Sequence, residues 1–185
     1  MNSLILAIFF LSYLGIAFGS IPGLALDRTG FALLGAIAAV LLTAAIGARL
    51  FDRSAGLRAA AMLAASLLLA VEARLATTDA ALLAAILLVQ AILARAYAAG
   101  PGARLSWPAT VLLWGGLGLA ILLKGPVVLL IAGSTAAALA IADRDAGWLA
   151  RLRPLAGTGL VLLVVAPWLV AIELASGGAF LEQSA

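Results

Sequence analysis

The chain lacks cysteine and histidine altogether, and only 10% of its 185 residues carry a charge. Without cysteine there is no disulfide and no thiol nucleophile. Without histidine there is no imidazole base and none of the usual zinc ligands. A metal would have to be held by carboxylates, of which there are eight, and nothing in their arrangement asks for a divalent ion. No metal ligand and no cofactor is therefore expected. Soluble domains carry about 25% charged residues, whereas 66% of this chain is hydrophobic. So little polar surface makes lipid the natural solvent for most of it. The net charge of +3 does not point to nucleic acid, because the bases sit at the ends of apolar runs and not on one soluble face.

What is present is a series of apolar runs. Ser3–Gly19 is the first. It reads as a retained helix in preference to a signal peptide, since Met1-Asn2-Ser3 carries no base and the run is long for a signal. Ser20–Arg28 is a loop with Pro22, Gly23 and Asp27. Thr29–Leu50 is a second span, long enough at 1.5 Å per residue to cross a hydrocarbon core of roughly 30 Å. Phe51–Arg58 reads as a short basic turn and Ala59–Val71 as the core of a third span. Ala80–Ala96 is the fourth, after the connector Glu72–Asp79. Tyr97–Trp107 is a loop, and Pro108 suits the first turn of a fifth span ending at Leu123. Lys124-Gly125-Pro126 breaks the pattern before a sixth span, Val127–Ala142. Asp143–Arg153 is a charged loop. Pro154 opens a seventh span that ends near Ile172 and carries Pro167, where a kink is expected. The fold class is thus all-α, a polytopic membrane helix bundle of about seven transmembrane helices. Small residues four apart occur throughout and single out no interface.

Alternating loops place Arg49, Arg53, Arg58, Arg95, Arg104, Arg144, Arg151 and Arg153 on one side and Arg28, Arg74 and Lys124 on the other. Eight bases against three put the first side in the cytoplasm. The N-terminus is then cytoplasmic and the C-terminus outside. Phe51, Tyr97, Trp107 and Trp148 fall on the inner boundary, as an aromatic belt does.

The outer side departs from a plain bundle. It holds Asp27, Glu72, Asp79, Glu173 and Glu182, and Glu72, Asp79 and Lys124 abut apolar runs. A charge at the centre of a span costs about 2.5–3.5 kcal/mol on insertion scales, and less near its edge, so each of these asks for a partner or a role. Structural accounts exist for all three. Thr77 or Thr78 can N-cap the fourth span with Asp79 in its first turn. Glu72 and Arg74 can form a local pair of little energetic weight. Lys124 suits a helix C-terminus. Yet the connectors after spans three, five and seven face one compartment. A carboxylate, a lysine and helix N-termini together suit a phosphate-bearing lipid: cation and N–H groups hold phosphate oxygens, and a carboxylate accepts a proton from a hydroxyl or amine. The candidate catalytic residues are Asp79 and Glu72. The candidate substrate-binding residues are Lys124, Arg74 and Thr78.

Several stretches also resemble a known family. They are Gly47-Ala48-Arg49-Leu50-Phe51-Asp52-Arg53, Glu72-Ala73-Arg74-Leu75-Ala76-Thr77-Thr78-Asp79-Ala80, Leu123-Lys124-Gly125-Pro126 and Pro167-Trp168-Leu169-Val170-Ala171-Ile172. From about Gly35 onward the chain resembles the polyprenyl-phosphate-sugar-dependent glycosyltransferases of the aminoarabinose-transferase and protein-mannosyltransferase type, family 39 with the GT-C fold. The resemblance implies transfer of a sugar from an undecaprenyl-phosphate-type carrier on the periplasmic face of a cell inner membrane, with lipopolysaccharide modification as one such reaction. It sets Asp79 near the active site and Lys124 near the carrier phosphate, with membrane lipid and the lipid-linked donor as partners.

The opening differs. Tyr13–Gly19 and Pro22–Gly30 resemble the start of an arsenite/citrate-type anion permease, so residues 1–34 are set apart from a partial transferase domain at 35–185. Family members normally carry a long outer loop with an Asp-Glu pair after the first span. In the family that pair is taken as the catalytic base; the loop is missing here, Asp27 is not assigned in its place, and the chain is expected to be a fragment or a joined sequence. Two other functions compete: a fragment of an anion transporter, for which Gln90 is the only strongly polar side chain deep in a span, and a non-catalytic membrane bundle.

Overall fold

The computed structural model describes residues 28–73, 78–99 and 103–176. The first apolar run, Asp27, Arg74, Thr77, Gly100-Pro101-Gly102 and the residues from Gly177 onward lie outside these residues. The described residues form seven α-helices: α1 (Arg28–Leu50), α2 (Arg53–Ala64), α3 (Leu67–Glu72), α4 (Asp79–Ala98), α5 (Trp107–Lys124), α6 (Val127–Asp143) and α7 (Pro154–Ala175). A short 3₁₀ helix, η1 (Gly147–Leu152), joins α6 to α7. Helices α1, α4, α5 and α7 are long and apolar enough to cross a membrane, and α6 is a shorter apolar helix. The chain is a multi-pass membrane protein.

Helix α4 is the axis. In its span 61% of the residues are buried, against 6% in that of α7, so α4 is the centre and α7 the periphery. One side of α4 packs on α1 and the other on α5, which in turn carries α7. Leu42, Leu88, Val89, Ile92 and Leu113 are fully buried between them, and Val128 of α6 joins the same core. Close approach depends on particular glycines. A Cβ on Gly47 would come 2.7 Å from the Gly56 Cα, so α1 and α2 touch backbone to backbone. The Trp114 indole lies where a Cβ on Gly157 would stand, and its Nε1 donates to the Leu152 carbonyl at 2.8 Å. Midway along, the Gln90 amide donates to Thr135 Oγ1 at 3.0 Å. That bond joins α4 to α6.

The third span is not one rod. Asp52 caps α2 by accepting from the Ala55 N–H at 2.8 Å, so Arg53 and Arg58 belong to the first turns of a helix and not to a basic turn. The helix stops at Ala64. Ser66 takes an extended conformation (φ −69°, ψ 130°), and its hydroxyl accepts from the Leu69 N–H at 3.2 Å, starting α3 afresh. Twelve and six residues span about 18 and 9 Å. Neither alone crosses a bilayer. A serine competing for backbone N–H groups accounts for the break, which a hydropathy reading of Ala59–Val71 passes over. Helix α7, by contrast, keeps its helical run through Pro167.

Candidate functional site

Three helix ends meet around the connector between the third and fourth spans. Gly35 brings α1 against the first turn of α4: a Cβ there would lie 3.2 Å from the Ala80 carbonyl carbon and the Ala81 nitrogen. This contact buries Ala80 and fixes the first turn of α4, so Asp79 has a rigid base. Helix α5 arrives from the opposite direction and ends at Lys124. Gly125 makes that ending possible. Its φ of 75° and ψ of −160° fall in a region essentially reserved for glycine, and its N–H returns to the Ile121 carbonyl at 2.7 Å. Pro126 then begins α6.

The result is an ion pair between Lys124 Nζ and Asp79 Oδ1. The two residues, 45 positions apart, are both on the candidate list. Each charge also complements its own helix, the carboxylate at an N-terminus and the ammonium at a C-terminus. Their side chains stay 36% and 46% exposed. Pairs this open contribute about 0.2–1 kcal/mol, so stability alone is a weak reason for placing two charges here.

Glu72, at the end of α3, joins Asp79 in the wall of a cavity of about 300 Å³. Among the described residues, Ser66 contributes the other polar side chain of its lining, with Leu63, Leu68, Leu69, Ala80 and Leu83. The volume sits at the lower end of ligand-pocket sizes, roughly 300–1,000 Å³. A second cavity of about 320 Å³, lined among the described residues by apolar side chains of α1, α2 and α3 and by Ala73, shares Leu69 with the first. The break in the third span therefore lines the candidate site, as irregular backbone at membrane depth is tolerated where it borders a cavity. Ser66 was missed by the sequence reading. The available signal was a serine three residues ahead of an N–H it could cap, inside an otherwise apolar run.

Thr78 needs a correction. It occupies the N-cap position of α4, but in a helical conformation (φ −79°, ψ −3°) that makes no side-chain cap bond. Its carbonyl accepts from the Leu82 N–H at 2.9 Å. An N-cap side chain normally turns inward from extended backbone, and Thr78 is not extended. Its hydroxyl is therefore not committed to capping. Arg74 falls outside the described residues. Among the described residues no three Asp, Glu, His or Cys side chains gather as metal ligands would.

The opposite end of the bundle is built differently. Arg151 donates to the Ala96 carbonyl at 3.3 Å and to the Ala99 carbonyl, closing the C-terminal end of α4. The Tyr97 hydroxyl donates to Asp143 Oδ2 at 2.6 Å. The Arg153 guanidinium lies 4.3 Å from the Trp107 ring centroid. Trp148 is not part of a lipid-facing belt: it is 3% exposed and meets the Tyr97 ring edge-on at 5.7 Å. Arg151 thus lies at one end of α4, while Lys124 meets its other end.

The family model that matches this chain is described as dolichyl-phosphate-mannose-protein mannosyltransferase, and it matches residues 5–170. The match takes in Glu72, Thr78, Asp79 and Lys124, and also most of the opening segment set apart in the sequence. Comparison with curated proteins and with solved structures returns no match.

Proposed function

The chain belongs to the dolichyl-phosphate-mannose-protein mannosyltransferase family of membrane glycosyltransferases, and from that premise we propose that it transfers a sugar from a polyprenyl-phosphate carrier to a lipid or protein acceptor at the periplasmic face of a cell inner membrane. Asp79 accepts the proton of the acceptor hydroxyl or amine. The acceptor atom then bonds to the anomeric carbon while the bond from that carbon to the phosphate oxygen breaks. The electron pair leaves with the polyprenyl phosphate, and Lys124 neutralises the charge that develops there. Glu72 lines the same cavity and orients the sugar through its hydroxyls. Arg74 and Thr78, on the connector, bind donor or acceptor. The apolar cavity that shares Leu69 takes the first prenyl units of the carrier.

The observation that supports this reading most is the meeting of Asp79 and Lys124 at a cavity that Glu72 also lines. The chemistry needs an acid-derived base beside a phosphate-binding cation, and the two come together from helices far apart in sequence. The test is transfer from a polyprenyl-phosphate sugar by the chain reconstituted in lipid. Asp79→Asn is expected to cut transfer by about 10²–10⁴-fold while the protein still inserts. Normal turnover in that variant would reduce Asp79 to a partner for its helix.

A further inference from the structure

We infer, resting on the reading above, that the Asp79–Lys124 pair is a latch that the carrier's phosphate opens, so that the base is released only when donor is bound. A carboxylate accepts protons through its lone pairs and has no other handle. With an ammonium on Oδ1, Asp79 has one of its two oxygens occupied by a competitor for the incoming proton. Lys124 faces the same conflict, because the ammonium that holds Asp79 is the one needed at the phosphate.

The geometry says which partner moves. Asp79 is in the first turn of α4, next to buried Ala80, and forms part of the cavity wall. Lys124 is the last residue of α5, followed by Gly125 at φ 75°, and it is not in the cavity wall. A flexible four-carbon stem at a helix end can swing, whereas the shorter Asp79 side chain stands next to a backbone turn held against Gly35. Both side chains are open enough for a ligand to reach. The pair is weak at this exposure, while charge-assisted bonds from an ammonium to phosphate oxygens are among the strong ones. Exchange therefore runs toward phosphate, and the freed carboxylate stays in the wall, facing the acceptor. The donor is a phosphodiester with one negative charge. The released polyprenyl phosphate is a monoester carrying more, so product holds Lys124 longer than donor does, and the latch closes again only on product release.

The test is binding of undecaprenyl phosphate to the full chain in nanodiscs at fixed salt, comparing the unaltered chain with Asp79→Asn, Lys124→Met and the double variant. Removing the competitor is expected to tighten binding about two- to fivefold in Asp79→Asn. Lys124→Met is expected to weaken binding at least about tenfold, and the double variant to match Lys124→Met. Unchanged or weaker binding by Asp79→Asn, with the loss in Lys124→Met intact, overturns the latch and leaves the phosphate role of Lys124 standing. Unchanged binding by Lys124→Met overturns that role and the latch with it. A second measurement needs no variant: carbodiimide labelling of Asp79 in the unaltered chain is expected to rise when undecaprenyl phosphate is added. A constant or reduced yield contradicts the exchange.

Discussion

The two ends of α4 use charge in opposite ways. At the end marked by Ala98, Arg151 is committed to backbone carbonyls, Asp143 to the Tyr97 hydroxyl and Arg153 to the face of Trp107. Each of those charges completes a helix end or an aromatic contact. At the Asp79 end, the carboxylate and Lys124 form a weak pair in view of solvent, next to a cavity with a second carboxylate in its wall. Charge at the first end maintains the fold. The exposed Asp79–Lys124 pair at the second end contributes little to the fold.

This contrast can be broken by removing charges one at a time. The largest effect belongs to Asp79→Asn, expected to cut sugar transfer by about 10²–10⁴-fold, the usual range for a lost general base, with insertion unchanged. Arg151→Ala should do the reverse. Two bonds from a charged donor are lost, and hydrogen bonds to charged groups contribute about 1.5–3 kcal/mol. Unfolding in detergent is expected to come earlier by that order, with transfer per folded molecule preserved. Gly125→Ala should cost about 1–3 kcal/mol, since its backbone falls in a region other residues avoid. It should also lower transfer, because Lys124 loses its placement. Lys124→Met is expected to change stability by no more than about 1 kcal/mol, which sets it against Arg151→Ala on the same measurement. The smallest change is a gain. Arg144 ends α6 in the left-handed region at φ 52°, which costs about 1–2 kcal/mol in a residue with a Cβ. Arg144→Gly should recover about 1 kcal/mol in thermal unfolding.

Much of this arrangement was readable from hydropathy and punctuation. The second, fourth, fifth, sixth and seventh spans agree with α1, α4, α5, α6 and α7 to within a few residues. Pro108 and Pro154 begin their helices where a missing N–H is harmless, and Lys124-Gly125-Pro126 marks the break. Three features were not readable, each for a physical reason. Ser66 breaks the third span through a single side-chain bond, and a windowed average smooths one polar residue away. Trp148 looks like an interfacial aromatic by position, but η1 folds it inward against Tyr97. The meeting of Asp79 with Lys124 is a contact between helices 45 residues apart, and local periodicity carries no information about such distances. Both residues could be listed from the cost of leaving a charge beside an apolar run. Their partnership needed the packing of α4 on α5.

All of this requires that the Asp79 end face the outside. The chain has no cysteine, so one introduced thiol reports its side without background. In cells carrying Thr78→Cys, a membrane-impermeant maleimide added from outside is expected to label the protein. Ala146→Cys, at the other end, should label only after permeabilisation. The opposite pattern, with position 78 protected until the membrane is opened, would place the ion pair and its cavity in the cytoplasm and contradict the account.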